Sequence, residues 1–335
     1  MPTNVTTNGI FFIEPAPPFR LDLAVWTLRR RPDNAVDRWD GETYRRALPL
    51  RSGVVAVAVS QIGPPEAARL RISVEGQPLS ASMKTAVTSA VERLLGLNVD
   101  LAAFYRFAAS QGRLGELAWR FQGMKPPCFA TVFEGAINAI ACQQLTLTVG
   151  IRLLNKLAAF CGPAVNSSTG DGTDATVHAF PRPEDLAWQN PDGLRQLGLS
   201  RQKGRAMIEL AQSIVECRFD LEGLAELPDE EAIARLRGAR GVGRWTAEYV
   251  LLRGLGRIHV FPGDDVGGRN NLRRWLDLPD QLDYDGVRGA LAPWRRYGGL
   301  VYFHLLLDRL AEAGYLNLGP PRRAVGEAER RAAIR

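Results

Sequence analysis

Hydrophobic and polar positions alternate in the first third of the chain and recur at helical spacing in the rest. The stretches 54–62 (VVAVAVSQI) and 69–76 (RLRISVEG) are rich in β-branched residues and partly alternate. This pattern is typical of half-buried strands, and the turn-rich GPPEAA between them predicts an antiparallel pair. The stretch 38–48 (RWDGETYRRAL) is a third predicted strand. Helical spacing predicts helices over 21–31 and 83–97.

Beyond Pro126 and Pro127 the pattern is almost wholly helical. Apolar residues recur three and four positions apart, which predicts helices that bury one face, at Phe129, Val132, Phe133, Ala136, Ile137, Ile140, Ile151, Leu154, Leu157 and Ala158. Helices are also predicted over 201–216 and 228–239. The Gly-, Ser- and Thr-rich stretch 162–180 is predicted to be a mobile surface insertion.

These patterns predict an α+β protein. An N-terminal domain over 1–115 would contain an open antiparallel sheet with helices. A mostly helical region over 116–320 would follow, with a hairpin at 229–255, and a charged tail over 321–335 would end the chain. The length of 335 residues is enough for two or three domains with full-sized cores.

Composition narrows the class of protein only slightly. Hydrophobic residues make up 46% and charged residues 23%, as in ordinary globular proteins. No apolar run reaches the ~20 residues that span a bilayer, and the N-terminus lacks the basic start of a secretory signal, so we expect no membrane association and a cytoplasmic location, in the bacterial cytosol or nucleoid. The net charge of +6 permits nucleic acid as a partner without requiring it.

Metal-binding spacing is not found among the cysteines and histidines. The four cysteines form no CxxC pair, and the three histidines are scattered. We therefore expect no metal held by side chains and no cofactor.

The stretch RGVGR (240–244) lies between two predicted helices. A Gly-x-Gly turn would point backbone N–H groups outward at the start of the second helix, where the helix dipole favours an anion and no side chain blocks close approach. Arg240 and Arg244 flank the turn and add positive charge. An ordinary helical hairpin that uses glycine for its turn is the alternative.

The stretch from this turn to the two aspartates resembles a known signature. LRGARGVGRWTAEYVLLRGLGRIHVFPGDDVGGRNNL looks like the helix-hairpin-helix plus Gly/Pro-Asp (HhH-GPD) block of the DNA glycosylase superfamily, and most closely its bacterial 3-methyladenine branch (AlkA type). Further similar stretches are FEGAINAIACQQLTL, LSRQKGRAMIELAQ and PWRRYGGLVYFHLL. The likeness covers most of the chain apart from its two ends and the 162–180 insertion.

The resemblance implies that Asp265 is the catalytic carboxylate. Such a group can stabilise the positive charge that develops on the deoxyribose as the base departs, and can orient water. Asp264 and Asp265 could instead cap the helix that follows, and both roles are compatible. Bifunctional members carry a lysine where this chain has Trp245, so the resemblance implies a monofunctional enzyme without strand cleavage, and the missing cysteine loop implies no iron–sulfur cluster.

The resemblance also implies how a damaged base would be held. Trp245 and Tyr249 share a helix face and would line the base pocket, with Phe303 or Tyr302 opposite. An aromatic face suits a cationic N-alkylated purine. Gln144, with Gln143 beside it, would fill the gap that the flipped base leaves, whereas the AlkA relatives use an apolar wedge there. These residues could alternatively be ordinary core and helix-junction residues.

Contacts with double-stranded DNA containing damaged bases would be made mainly to its backbone. The predicted set is Gln143, Gln144, Arg201, Lys203, Arg240, Gly241, Gly243, Arg244, Thr246 and Arg269. The family also implies a structural Na⁺ or K⁺ ion on hairpin backbone carbonyls, and a monomer. Three alternatives stay open: a glycosylase for oxidised, deaminated or mismatched bases, a non-catalytic damage-binding protein, and a small-molecule enzyme that binds phosphate at the hairpin.

Overall fold

The structure is a computed structural model that describes residues 9–50, 53–76, 78–168, 174–316 and 318. The predicted charged tail over 321–335 lies outside the described residues. No helix in the described ranges combines the length and apolar content that crossing a bilayer requires.

The N-terminal part contains a five-stranded antiparallel sheet, as the alternating pattern predicts. Its strands are β1 (Gly9–Ile13), β2 (Arg38–Trp39), β3 (Thr43–Leu50), β4 (Gly53–Ile62) and β5 (Arg69–Glu75), in the spatial order β1-β5-β4-β3-β2. The predicted antiparallel pairing of 54–62 with 69–76 is confirmed, because β4 and β5 are antiparallel neighbours. The single strand predicted over 38–48 is wrong. The Asp-Gly at 40–41 turns the chain there, so Trp39 pairs with Tyr44 across a hairpin.

Two helices cover one face of this sheet, α1 (Leu21–Arg29) and α2 (Ala81–Leu95). Ser80 caps α2 by accepting a hydrogen bond from the Met83 amide at 3.2 Å, and Gly96 ends the helix at a φ of 64°. Helix α1 ends at Arg30, which also adopts a left-handed conformation. This backbone bend directs the Arg30 side chain away from the sheet and towards the helical region.

Helices dominate the rest of the described chain. They are α3 (Ala102–Ala109), α4 (Gly112–Arg120), α5 (Val132–Cys142), α6 (Leu147–Cys161), α7 (Pro183–Leu186), α8 (Pro191–Gln196), α9 (Arg201–Val215), α10 (Asp229–Arg237), α11 (Arg244–Arg253), α12 (Val266–Trp275), α13 (Tyr284–Ala290) and α14 (Gly298–Glu312). Short 3₁₀ turns lie at Pro65–Ala67, Glu222–Glu226 and Ala292–Tyr297. The α+β fold class is therefore confirmed.

The predicted insertion over 162–180 contains regular structure. It forms a two-stranded antiparallel ribbon of β6 (Ala164–Ser168) and β7 (Asp174–His178), in which Val165 pairs with Val177. Arg38 of the N-terminal sheet donates a hydrogen bond to the Ser167 hydroxyl at 3.3 Å. The composition does not reveal these strands, because Ser and Thr side chains suit an exposed ribbon as well as a loop, and the mobility of the insertion stays a prediction.

Hydrophobic cores join distant parts of the chain. One cluster combines Leu23 and Trp26 of α1 and Phe104 of α3 with residues of α12 to α14 such as Leu272 and Leu300. The C-terminal helices therefore pack against residues on the N-terminal side of position 115. The boundary at that position stays a prediction.

A buried ionic cluster also links the sheet to α5. Arg46 of β3 donates to Asp37 at 2.6 Å and to Glu134 of α5 at 2.5 Å, and all three side chains are buried. Tyr44 donates its hydroxyl hydrogen to the same Asp37 at 2.7 Å. Removing one partner would leave an uncompensated buried charge, so this cluster holds the sheet against α5.

Candidate active site

Asp265 lies at the start of α12, where the chain leaves the Pro-Gly turn. Its Oδ1 accepts a hydrogen bond from the Gly268 amide at 2.5 Å, so it caps the helix. Its Oδ2 accepts one from the Trp245 indole N–H at 3.0 Å. The carboxylate is half-buried, and these two donors fix its orientation while leaving other lone pairs accessible. Asp265 therefore caps α12 and is also the residue predicted to be the catalytic carboxylate.

Asp264 has a different environment. Its carboxylate accepts a hydrogen bond from the Arg244 guanidinium at 2.7 Å, in an ion pair at the surface. Arg244 also lies over the Tyr284 ring, 3.6 Å from the ring centroid. Arg244 therefore has an intramolecular partner in addition to the phosphate that the sequence predicts for it.

The loop before Asp265 is held by two residues that the sequence analysis did not identify. Glu248 of α11 accepts hydrogen bonds from the Gly263 amide at 3.0 Å and from the Tyr284 hydroxyl at 2.6 Å. Burial raises the pKa of Glu248. A side chain at position 263 would collide with Tyr284, since an added Cβ would lie 2.6 Å from the ring. Glycine at 263 therefore lets the loop pass close to α13.

Aromatic and polar side chains from four elements form a connected cluster that reaches Asp265 through the Trp245 indole, and we call this cluster the base-side wall: Arg30, Asn138, Trp245, Tyr249 and Tyr302. The Trp245 and Tyr249 rings lie 5.4 Å apart, as their spacing on α11 predicts. Burial raises the pKa of Tyr302 well above its usual value, and the Asp265 charge adds to this. The tyrosines therefore keep their protons at neutral pH and can donate hydrogen bonds.

Phe303 does not belong to this wall. Its side chain is fully buried (0% exposed) against Arg253, whose guanidinium carbon lies 5.4 Å from the ring centroid. Tyr302 is half-buried, and its ring packs against the start of α12 at Gly268. Of the two residues predicted for this place, Phe303 is a core residue in this structure, and the pocket role of Tyr302 stays a prediction.

Arg30 and Asn138 of the wall were missed. Arg30 Nη1 donates to the Tyr249 hydroxyl oxygen at 2.7 Å, and Nη2 donates to Asn138 Oδ1 at 2.7 Å. Arg30 and Tyr249 are 219 positions apart in the chain. No periodicity or short motif connects residues at such a separation, so only the three-dimensional arrangement identifies them.

The hairpin turn, residues 238–243, joins α10 to α11 and is exposed at its glycines. Gly241 has a φ of 77°, which favours glycine, and an added Cβ there would lie 2.8 Å from the Ala206 Cβ. Gly243 precedes α11 with no side-chain cap, and nothing lies within 4 Å of its added Cβ. Open space therefore adjoins the start of α11 at Gly243, as an anion site requires.

Three residues of the predicted DNA-contact set instead pack between helices. Gln143 donates to the Gly241 carbonyl at 2.7 Å and to the Thr246 hydroxyl at 2.8 Å. Thr246 is only 1% exposed. Lys203 donates to the carbonyls of Ala141 and Gln143 at the end of α5, at 3.0 Å and 2.6 Å. These side chains fix the hairpin against α5, so Thr246 and Lys203 already have partners within the protein, and the DNA contacts predicted for them stay predictions.

Other members of the predicted set are accessible at the surface. Gln144 is exposed at the α5–α6 junction with a φ of 54°. Leu145 follows it and is 42% exposed, which is a high value for a large apolar side chain. Arg240 pairs with Glu209 at 3.1 Å, Arg201 pairs with Asp192 at 3.6 Å, and Arg269 is half-buried on α12.

A separate cavity of about 380 Å³ lies near the start of α5. It is lined by Thr131, Phe133, Pro183, Ile214, Cys217, Phe219, Asp220, Leu221 and Glu222. None of the predicted site residues contributes to it. Among the described residues, no group of three His, Cys, Asp or Glu side chains is arranged to hold a metal ion.

Comparison with known proteins agrees with this geometry. The model of the HhH-GPD superfamily of base excision DNA repair proteins matches residues 137–296, which include the hairpin turn and Asp265. The helical region of the chain is therefore similar to this superfamily. The HhH-GPD match thus covers the helical region, while Arg30 lies outside it.

Individual relatives extend the match beyond these residues. The chain is 27% identical to Bacillus subtilis YfjP, provisionally named a DNA-3-methyladenine glycosylase, over 88% of this chain and 97% of the relative. It is 29% identical to Escherichia coli DNA-3-methyladenine glycosylase 2 over 46% of this chain and 52% of the relative. The solved 3-methyladenine DNA-glycosylase from Archaeoglobus fulgidus has a TM-score of 0.76 and 29% identity, covering 90% of this chain and 99% of that one.

Proposed function

We propose that this protein is a monofunctional DNA glycosylase of base excision repair that removes alkylated purines such as 3-methyladenine and 7-methylguanine. The observation that carries the proposal is the Asp265 carboxylate, held by the Trp245 indole beside an aromatic wall and close to an exposed hairpin turn. Relatives named for 3-methyladenine removal support the same activity.

Asp265 would act on the sugar side of the scissile bond. The electron pair of the C1′–N bond leaves with the base, and positive charge develops on the deoxyribose. A carboxylate already fixed by two hydrogen bonds stabilises this charge without reorganisation. A water molecule that the carboxylate orients then adds to C1′ and loses a proton, which leaves an abasic site.

Trp245 and Tyr302 would contact the flipped base. A cationic purine over an aromatic face gains roughly 0.5–2 kcal/mol. Such a base is already a good leaving group, because it departs neutral. The site therefore does not require a strong general acid for this substrate class.

Leu145 is the better candidate for filling the gap in the DNA helix. An exposed apolar side chain at a helix junction can enter the base stack at little cost to the free protein. The adjacent Gln144 can then hydrogen-bond to the unpaired partner base. With Leu145 in this role, the inserted side chain is apolar, like the wedge of the AlkA relatives, whereas the predicted Gln144 is polar.

The hairpin turn would bind a DNA phosphate through the amides at the start of α11. Arg240 and Arg201 lie at the surface and can add charge. A Na⁺ or K⁺ ion on the hairpin carbonyls is part of the proposal. The Gly241 carbonyl accepts one hydrogen bond from Gln143, and a carbonyl oxygen has a second lone pair for a cation. We also propose that the protein acts as a monomer, in the cytoplasm.

The test is release of bases from methylated duplex DNA, followed by chromatography. Wild type is compared with Asp265→Asn, and Asp264→Asn serves as the matched control because it changes the adjacent carboxylate. We expect Asp265→Asn to slow release by about 10³-fold, with binding to abasic DNA retained. Strands should break only after alkali treatment. Release by Asp265→Asn at the wild-type rate would refute the assignment, and binding without release by wild type would favour a damage-binding protein.

A further inference from the structure

Arg30 places a positive charge within the base-side wall, at the hydroxyl of Tyr249. The residue ends α1 with φ and ψ of 61° and −23°, so its side chain leaves the N-terminal domain. Only 5% of it is exposed. Its guanidinium carbon lies 5.5 Å from the Phe129 ring centroid, and its two terminal nitrogens donate to Tyr249 and Asn138.

The Arg30 charge has no ionic partner among the described residues, although the side chain is buried. Its Nε is also unpartnered within the described part of the chain. Arg46, equally buried, is bonded to both Asp37 and Glu134. A guanidinium does not lose its proton in proteins, so Arg30 is a buried cation whose two hydrogen-bond acceptors are neutral, and the Asp37 charge attracts it without forming an ion pair. Such an arrangement costs stability, which points to a use in the site.

The bond to Tyr249 connects this charge to the aromatic residues that, under the proposed function, line the base pocket. Arg30 donates to the hydroxyl oxygen, so Tyr249 retains its own hydrogen to donate elsewhere. Burial raises the pKa of Tyr249, which keeps that hydrogen in place. A hydroxyl that accepts a bond from a cation becomes a stronger donor itself. The Trp245 ring, 5.4 Å from Tyr249, contacts Asp265 through its indole N–H.

We propose that Arg30, acting through the Tyr249 hydroxyl, is a positioning residue that stabilises negative charge on the departing base and so extends cleavage to lesions without positive charge. This inference rests on the proposed glycosylase function. When the C1′–N bond breaks, its electron pair moves to the base. The arrangement of Asp265 on the sugar side and Arg30 on the base side stabilises both ends of that charge separation.

The effect depends on the charge of the lesion. A neutral purine such as hypoxanthine leaves as an anion, which then takes a proton from water, while the water that adds to C1′ loses one. A cationic purine such as 7-methylguanine leaves neutral, and the reaction releases one proton. Stabilisation of an anionic leaving group is needed in the first case only.

The test measures single-turnover release from duplexes with one hypoxanthine or one 7-methylguanine. We expect Arg30→Met to slow hypoxanthine release by about 30-fold or more and 7-methylguanine release by at most about threefold. Arg30→Lys, which keeps the charge, should recover most of the hypoxanthine rate. Arg29→Met is the matched control, because Arg29 is equally buried at the end of α1 but bonds to the backbone carbonyls of Trp39 and Pro32. It should change both rates by the same factor.

Tyr249→Phe tests the same inference without changing a buried charge, in case Arg30→Met does not fold. It should reproduce the selective loss on hypoxanthine. Equal losses on both lesions in both variants would overturn the inference and leave the proposed function intact. Failure of wild type to release hypoxanthine while releasing 7-methylguanine would also overturn it. If wild type released neither base, the proposed function and this inference would fall together.

Discussion

In the proposed function, the hairpin turn and the base-side wall would use opposite means to bind DNA. The turn offers backbone amides at exposed glycines, and its chemistry requires the absence of side chains. The wall consists of buried or half-buried side chains, and its chemistry depends on a cation without an ionic partner among the described residues. The turn therefore depends on local conformation, whereas the wall depends on how distant elements pack.

This difference predicts which changes each region tolerates. An exposed turn loses little stability when its surface is altered, provided that the backbone conformation is kept. Buried polar groups behind the wall have no solvent to replace a lost or altered partner, so changes there affect folding as well as function.

The largest effect on stability is expected from the pH dependence of one buried titratable group, His304. His304 lies on α14 with Tyr302, is fully buried, and contacts the Phe104 ring at 5.3 Å. Burial lowers its pKa from 6.5 to about 4. Below pH 6.5 the imidazole binds a proton in the unfolded chain but not in the folded chain. The free energy of unfolding is therefore highest above pH 6.5 and falls as the pH decreases towards 4. The loss should reach about 3 kcal/mol.

His304→Leu should remove this pH dependence. Denaturant unfolding of both proteins at about pH 7.5 and about pH 4 measures it. Relative to wild type, the free energy of unfolding of the variant should be about 3 kcal/mol more favourable to the folded state at the lower pH than at the higher pH. An unchanged difference would mean that His304 is protonated in the folded state.

A smaller loss of stability, of about 2 kcal/mol, is expected at Gly241, where both the backbone conformation and the close packing favour glycine. Gly241→Ala places a Cβ at a φ of 77° and 2.8 Å from Ala206. It should also weaken binding to abasic DNA by about tenfold. Gly243→Ala is the control, since its φ of −91° is accessible to alanine and its surroundings are open. Equal loss of stability in both variants would contradict the geometry of the turn.

The smallest effect on folding is expected at the surface next to the turn. Leu145→Ala should leave the free energy of unfolding unchanged within about 0.5 kcal/mol and slow base release by about tenfold. Gln144→Ala should slow release by less than about threefold, because the apolar side chain fills the gap. Single-turnover release measures both, and a greater loss at Gln144 would reverse the assignment.

Features set by neighbouring residues could be predicted from the sequence. The β4–β5 pair, the amphipathic helices, and the Gly-x-Gly turn follow from alternation, periodicity and glycine content, and the structure confirms these elements. Asp265 as catalyst stays a prediction, although its position as a helix cap was already visible in the sequence. Local errors arose where one pattern fits two structures, as for the hairpin within 38–48.

Features set by packing could not be predicted. Adjacent aromatic residues at 302 and 303 differ in which one faces the site, and only the orientation of α14 decides this. Thr246 and Lys203 carry groups that suit DNA, yet each has a partner in another helix. Arg30 lies in a stretch with three consecutive arginines, and nothing in that stretch distinguishes the one that reaches α11.

The distance along the chain between Arg30 and Tyr249 also affects how the protein folds during synthesis. During synthesis the arginine emerges first and must wait for 219 further positions before its hydroxyl partner exists. The N-terminal sheet can form early, since domains generally fold as units on the ribosome. The base-side wall is therefore among the last features to assemble, and a chain released early would carry a folded N-terminus with no capacity for chemistry.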